Sequence, residues 1–233
     1  MNIFKDLFSS AIHLFYPRLC IGCGSDLFRA YELLCPRCIH ELPYTGYETI
    51  PHNPVEKIFY GRLPVAAAHS SFYFTKGELI QHLVHELKYK GNQQAGIYLG
   101  TLMGNKMHES MRFSSIDYLI PLPLSAEKEY RRGFNQAETI CKGLSVSMNI
   151  PVLTKNVVRS RYTETQTKKH RAERWENVSG SFRVNDPPAL QHKHILLVDD
   201  VITTGATLEA CASAILSACD TRVSIATLAV ASK

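Results

Sequence analysis

The sequence predicts an α/β domain, a mostly parallel sheet flanked by helices, preceded by a small four-cysteine unit. Three observations predict it. From Leu63 onward, short apolar segments alternate with stretches of helical periodicity, the order that builds parallel strands covered by helices. Four of the seven cysteines fall between positions 20 and 38. The apolar run His194–Val198 leads into two aspartates, then into a loop of three threonines and one glycine that opens a helix.

Composition sets the frame. The 233 residues are 45% hydrophobic and 20% charged, with a net charge of +5. That balance excludes wholesale disorder, which needs low apolar content and high net charge. No apolar run approaches the roughly 20 residues of a membrane-spanning helix. The N-terminal stretch lacks the unbroken apolar centre and small-residue cleavage site of a signal peptide. A soluble, cytoplasmic chain without a membrane span is therefore expected. An odd number of cysteines, clustered and without a leader, does not make a secreted disulfide framework. Cys141, Cys211 and Cys219 sit in apolar or helical context and read as small buried hydrophobes.

Taken in order, residues 1–16 place Ile3, Phe4, Leu7, Phe8, Ala11, Ile12 and Phe15 at helical spacing. This is an amphipathic helix that docks on the rest of the chain. A membrane-surface helix would carry a basic stripe, and only Lys5 is present. Residues 17–48 form the cysteine unit. Residues 49–62, rich in turn formers, read as a linker or an irregular crossing segment. The main domain occupies 63–233. Its expected strands are Val65–Phe74, Ile116–Pro121, Val157–Arg159, His194–Val198 and Arg222–Ala229. Its helices are Glu78–Lys88, Gln94–Met107, Asn135–Met148 and Ala206–Cys219. No repeat or low-complexity tract interrupts them.

The cysteines form two C-x2-C pairs, Cys20/Cys23 and Cys35/Cys38, eleven residues apart. Each pair offers two thiolates from one tight turn, and four thiolates suit tetrahedral zinc. The segment has few apolar residues for a core of its own, so the metal would supply its folding energy. Four cysteine ligands leave no open position, which makes the zinc structural. Redox dithiols are the competing reading of the same spacing.

The loop after His194–Val198 carries the ligand chemistry. Backbone amides and the hydroxyls of Thr203, Thr204 and Thr207 can wrap a phosphate at the start of the helix that begins near Ala206. Gly205 is expected to let the backbone approach that phosphate closely. Such loops lie at the carboxyl ends of parallel strands, where open α/β sheets bind ligands. Asp199 and Asp200 would repel a bare phosphate. They fit the hydroxyls of a phosphorylated sugar, or its magnesium.

Asp199-Asp200 with Thr203-Thr204-Gly205-Ala206-Thr207 resembles the phosphoribosyl pyrophosphate (PRPP) signature of type I phosphoribosyltransferases. A narrower resemblance covers nearly the whole chain. The four-cysteine unit, Leu87-Lys-Tyr-Lys-Gly91, Ile120-Pro-Leu-Pro-Leu-Ser125, Arg132-Gly-Phe-Asn-Gln136, Arg161-Tyr-Thr-Glu-Thr-Gln166 and Arg174 to Phe182 follow one another as in the ComF family. That family is associated with natural competence and DNA uptake. The resemblance implies a type I phosphoribosyltransferase-like fold that binds PRPP with magnesium. It implies a pyrophosphate-binding loop after the Ile116 strand, with Ser125, Arg131 and Arg132 as donors. It also makes a substrate role conceivable for the Lys88–Gly91 segment, although two cations and a glycine suit any helix C-terminus. Two positions depart from related patterns. Lys169 stands where an apolar residue is expected, and Thr203 stands where purine-salvage relatives carry an aspartate.

Residues 155 to 174 hold seven Lys or Arg and two Glu. Their excess positive charge equals that of the whole chain, so a polyanion would bind there. Three readings stay open. The segment is a hood over the substrate's pyrophosphate, a single-stranded DNA groove with Tyr162 and Trp175 as stacking platforms, or a solvated loop. Two functional classes follow. One is a phosphoribosyltransferase with an unassigned acceptor. The other is a non-catalytic module that keeps the phosphate site and senses PRPP or handles single-stranded DNA alongside DNA-uptake proteins. His82 and His85 have no third ligand nearby and read as surface residues. No nucleophile–His–acid arrangement stands out.

Overall fold

The computed structural model describes residues 19–26, 33–159 and 181–231. The N-terminal helix expected over 1–16 lies outside them, as do Tyr162, Trp175 and most of the basic segment.

Among the described residues four parallel strands make the main sheet, in the order Ala68–Phe74, Arg222–Ala231, His194–Ile202, Tyr118–Pro121. They are β1 (Ala68–Phe74), β2 (Tyr118–Pro121), β5 (His194–Ile202) and β6 (Arg222–Ala231). Helices α3 (Leu79–Tyr89), α4 (Gln93–His108), α6 (Gln136–Met148) and α7 (Ala206–Ala218) flank it. Two short strands, β3 (Val157–Arg159) and β4 (Phe182–Val184), pair as an antiparallel ribbon. The expected α/β class is the observed one. Among the described residues no helix is long and apolar enough to cross a membrane.

The central strand shows why its sequence is a continuous apolar run. Leu196 and Val198 enter one core cluster, with α3, α4 and α6. Ile195 and Leu197 enter the other, with α7. A strand covered on both faces cannot alternate with polar residues. The strand also outlasts its apolar run. Asp199, Val201 and Ile202 still pair with Thr227, Ala229 and Val230 of β6, so the two aspartates lie within the strand rather than after it.

Helices α4 and α6 meet backbone to backbone. A Cβ on Gly143 would sit 2.0 Å from the Ile97 carbonyl oxygen, and one on Gly100 would sit 2.2 Å from that of Ile140. No side chain can yield there. Gly143→Ala should gain helix propensity worth just under 1 kcal/mol and lose about 1–3 kcal/mol to overpacking. We expect a net fall in melting temperature, read by calorimetry. An unchanged or raised melting point would refute the packing argument.

Two segments differ from expectation. Residues 49–62 are not a free linker. Helix α2 (Pro54–Lys57) lies there, and Val55 and Phe59 are fully buried. Asn53 caps α2 by accepting from the Val55 and Glu56 amides, and its own amide donates to the Ala68 carbonyl of β1 at 2.9 Å. Glu56 accepts from the Ala68 amide and from Arg112, which also donates to the Tyr47 and Ile50 carbonyls. Polar side chains thus seat the segment on the sheet without apolar periodicity. The second difference is Ser125–Arg132, expected as a loop. It is a helix, α5 (Ala126–Arg132). Ser125 caps it, Glu127 and Glu129 lie in its first turn, Arg131 and Arg132 in its last, and Gly133 ends it at φ +78°. Every one of those placements favours a helix.

Candidate phosphate-binding site and cysteine cluster

Gly205 organises the loop. It is buried, at φ +75°, a conformation that costs any other residue. A Cβ there would lie 2.8 Å from Ile58 Cγ2 and 3.1 Å from Phe59 Cε1. The expected reason for this glycine therefore changes. Its bare side faces the core, and what it frees for a ligand is the loop's other side. Thr203, Thr204, Ala206 and Thr207 are exposed, around a hollow that Asp199 also lines. Helix α7 starts at Ala206, with its first amides at that hollow. An anion is stabilised at such an N-terminus.

The acidic pair is held unevenly. Asp200 is buried and meets the Lys88 ammonium at 2.9 Å. Asp199 is partly exposed, and its carboxylate accepts from the Asp200 amide. Desolvation and then the negative charge of Asp200 push the Asp199 carboxyl up to about 8, against the pull of Lys88 and Arg132. This has a consequence for stability. A carboxyl raised on folding favours the fold fully below its unfolded value, near pH 4, and loses that contribution as pH rises to about 8. Asp199→Asn removes the loss. The variant should exceed wild type in stability by a margin that widens from pH 4 to about 8 and then levels. Urea unfolding across that range would test it, and a constant margin would overturn it.

The basic residues divide. Arg132 donates from Nη1 to Gln136 Oε1 at 2.6 Å, and its guanidinium lies 5.8 Å from the centre of the Tyr89 ring. Among the described residues its Nε is buried without a partner, a donor available to an anion. Arg131 is exposed on α5, and the Ser125 hydroxyl oxygen accepts from the Lys128 amide. Lys88 is the functional candidate the residue pattern alone did not isolate. Its position at a helix end explained it without a ligand, and its partner is remote in sequence.

The four cysteines do come together. Their Sγ atoms all lie within 4.8 Å of one another. The Cys35 amide donates to Cys20 Sγ at 3.3 Å, and the Cys38 amide donates to Cys35 Sγ at 3.5 Å. The amide of Cys38 and the Ser25 hydroxyl bring the Cys35 thiol down to about 6. Four sulfurs at such spacing, with amide donors to two of them, fit a tetrahedral thiolate metal site. The cluster is not a separate bead. Cys20, Cys35 and Cys38 join the core cluster of α3 and α4, and His82 on α3 bonds the Ile21 carbonyl at 2.9 Å. Cys141 and Cys211 are fully buried, whereas Cys219 is half-buried.

These features define a phosphoribosyltransferase-type α/β domain behind a four-cysteine cluster. The model of the phosphoribosyl transferase domain matches residues 131–233. The DNA utilization protein YhgH of Escherichia coli K12 is 31% identical over 137 residues, which are 58% of this chain, and the match spans only 60% of that protein's length. Competence protein F of Haemophilus influenzae is 29% identical over 211 residues, 83% of this chain and 89% of that one. Competence protein ComFC of Bacillus subtilis is 26% identical over 219 residues, 91% and 84%. The resemblance to the ComF family is borne out by these relatives.

Proposed function

We propose that this chain binds PRPP with its magnesium at the Asp199–Thr207 segment and transfers the phosphoribosyl group, in the service of competence or DNA utilization as its relatives' names have it. One observation carries the reading. An acidic pair with Asp200 buried and Asp199 partly exposed, a hydroxyl-lined helix N-terminus and two cations, Lys88 and Arg132, converge at the carboxyl end of β5. A phosphorylated sugar diphosphate needs those three features together.

In this reading the exposed threonines and the α7 amides hold the 5-phosphate. Asp199 and Asp200 accept hydrogen bonds from the ribose hydroxyls. Binding draws Lys88 away from Asp200, towards the diphosphate that Arg132 also meets. Magnesium bound with the diphosphate would neutralise part of its charge, with the Asp199–Asp200 pair facing it. As the C1–O bond breaks, its electron pair leaves with the pyrophosphate, and positive charge builds on the ribose beside the acidic pair. The acceptor forms the new bond to C1 and gives up its proton to water. The cysteine cluster would hold one zinc, structural because all four positions are protein thiolates.

The test is release of pyrophosphate from PRPP and magnesium, with pooled acceptors and with single-stranded DNA as alternatives. Release above the rate without protein supports transfer. PRPP binding without release would replace the enzyme by a PRPP-sensing module, and neither would overturn the reading.

A further inference from the structure

Arg62 lies outside residues 131–233, the part that matches the phosphoribosyl transferase domain, yet it is tied to the threonine loop from behind. The turn that carries it packs under that loop. Ile58 and Phe59 face the bare side of Gly205, and the Arg62 amide donates to the Phe59 carbonyl at 3.0 Å. The guanidinium then reaches three elements at once. Nε donates to the Ile58 carbonyl at 2.9 Å, and Nη2 donates to the same carbonyl and, at 3.4 Å, to that of Thr204. Nη1 meets Glu209 Oε2 at 2.8 Å, on α7. A planar fork of donors suits such divided duty, and an ammonium would not reach all three.

Glu209 makes the last contact more than a clamp. It lies in the first turn of α7, where its amide donates to the Gly205 carbonyl at 2.8 Å. A carboxylate there suits the helix dipole. For the same reason it competes with a phosphate for the positive end of the helix, one turn from the loop. The pair is only partly exposed, with side chains at 35% and 16%, so salt screens it less than a surface pair. Without Arg62, Glu209 would oppose an anion held by the loop. Paired, its charge is cancelled and the helix end stays positive.

We propose that Arg62 is a positioning residue of the phosphate loop. It ties the Thr204 carbonyl to the turn below, which keeps the loop's amides aimed outward, and it neutralises Glu209, which leaves the α7 N-terminus to the ligand. The proposal rests on the phosphate-loop reading above.

The experiment titrates ribose 5-phosphate by calorimetry at low salt, because its single phosphate is the part the loop would hold. Arg62→Met should bind it at least about tenfold more weakly, having lost the tie and uncovered Glu209. Glu209→Gln should bind it at least about twofold more tightly, since Arg62 keeps its carbonyl contacts and its charge is released; a charge at a helix end has effects of that size. Adding Glu209→Gln to Arg62→Met should restore at least about threefold, again the size of a helix-end charge. A pair that only held the fold together would do the opposite, since loss of either partner would harm binding and loss of both would restore nothing. Arg62→Met within twofold of wild type, or no recovery in the double variant, would overturn the proposal. Should Arg62→Met fail to fold, Glu209→Gln decides alone, and unchanged or weaker binding overturns it. Failure of wild type to bind ribose 5-phosphate would overturn the loop reading instead.

Discussion

Cys35→Ser is expected to strip the chain of its zinc and lower its melting temperature, the largest single effect we foresee. Structural zinc contributes about 10–16 kcal/mol in small metal-folded units, more than the rest of so short a segment could supply. Cys35 is the most entangled ligand. Its amide donates to Cys20, its sulfur accepts from Cys38, and its sulfur lies 3.6 Å from that of Cys23. Elemental analysis should find one zinc per wild-type chain purified without chelator, and none in the variant. The main domain will not be indifferent. Gly22 of the first turn has Leu79 Cδ1 within 2.7 Å of where its Cβ would be, so the cluster sits directly on α3. A melting point lowered with zinc loss is expected, rather than an intact transition beside a frayed end. Wild type without metal, or full zinc in the variant, would sink the assignment.

What the sequence made legible follows from how far each signal reaches. The two C-x2-C pairs act within single turns, and the Asp199–Thr207 segment runs unbroken from strand to helix. Both could be read without knowing the rest of the fold. Strand β5 was legible because its burial on both faces leaves a plain apolar run. Helix α5 was not, because it buries none of its residues and so shows no apolar period. The α2 segment was hidden for a different reason. It is fixed by Asn53, Glu56 and Arg112, the last of these 56 residues from Glu56 in sequence, and polar pairing leaves no periodic trace. The Lys88–Asp200 pair is longer-range still. Lys88 had an innocent local explanation at its helix end, and only the packing of α3 against the sheet sets it beside Asp200.

Lys88 and Asp200 give the sharpest test of the phosphate site. Asp200→Asn keeps shape and some hydrogen bonding but removes the charge that faces both the sugar and Lys88. A hydrogen bond to a charged group is worth roughly 1.5–3 kcal/mol, so PRPP should bind roughly 10- to 150-fold more weakly by calorimetry. Lys88→Met acts in two directions. It removes a cation meant for the diphosphate, and it leaves the buried Asp200 carboxylate without its partner in the free protein. The second effect favours binding, because the ligand no longer has an ion pair to break. Asp200→Asn spares the ligand the same cost by freeing Lys88, so each single substitution should weaken PRPP binding by less than the contact it removes. In the double variant that compensation is gone, since a neutral amide in place of the Asp200 carboxylate needs no counter-ion. The two losses should then fail to add, with a coupling of at least about 0.5 kcal/mol, as residues in contact commonly show. Additive losses would mean that PRPP leaves the ion pair intact. PRPP affinity within twofold of wild type in Asp200→Asn would remove the acidic pair from the site.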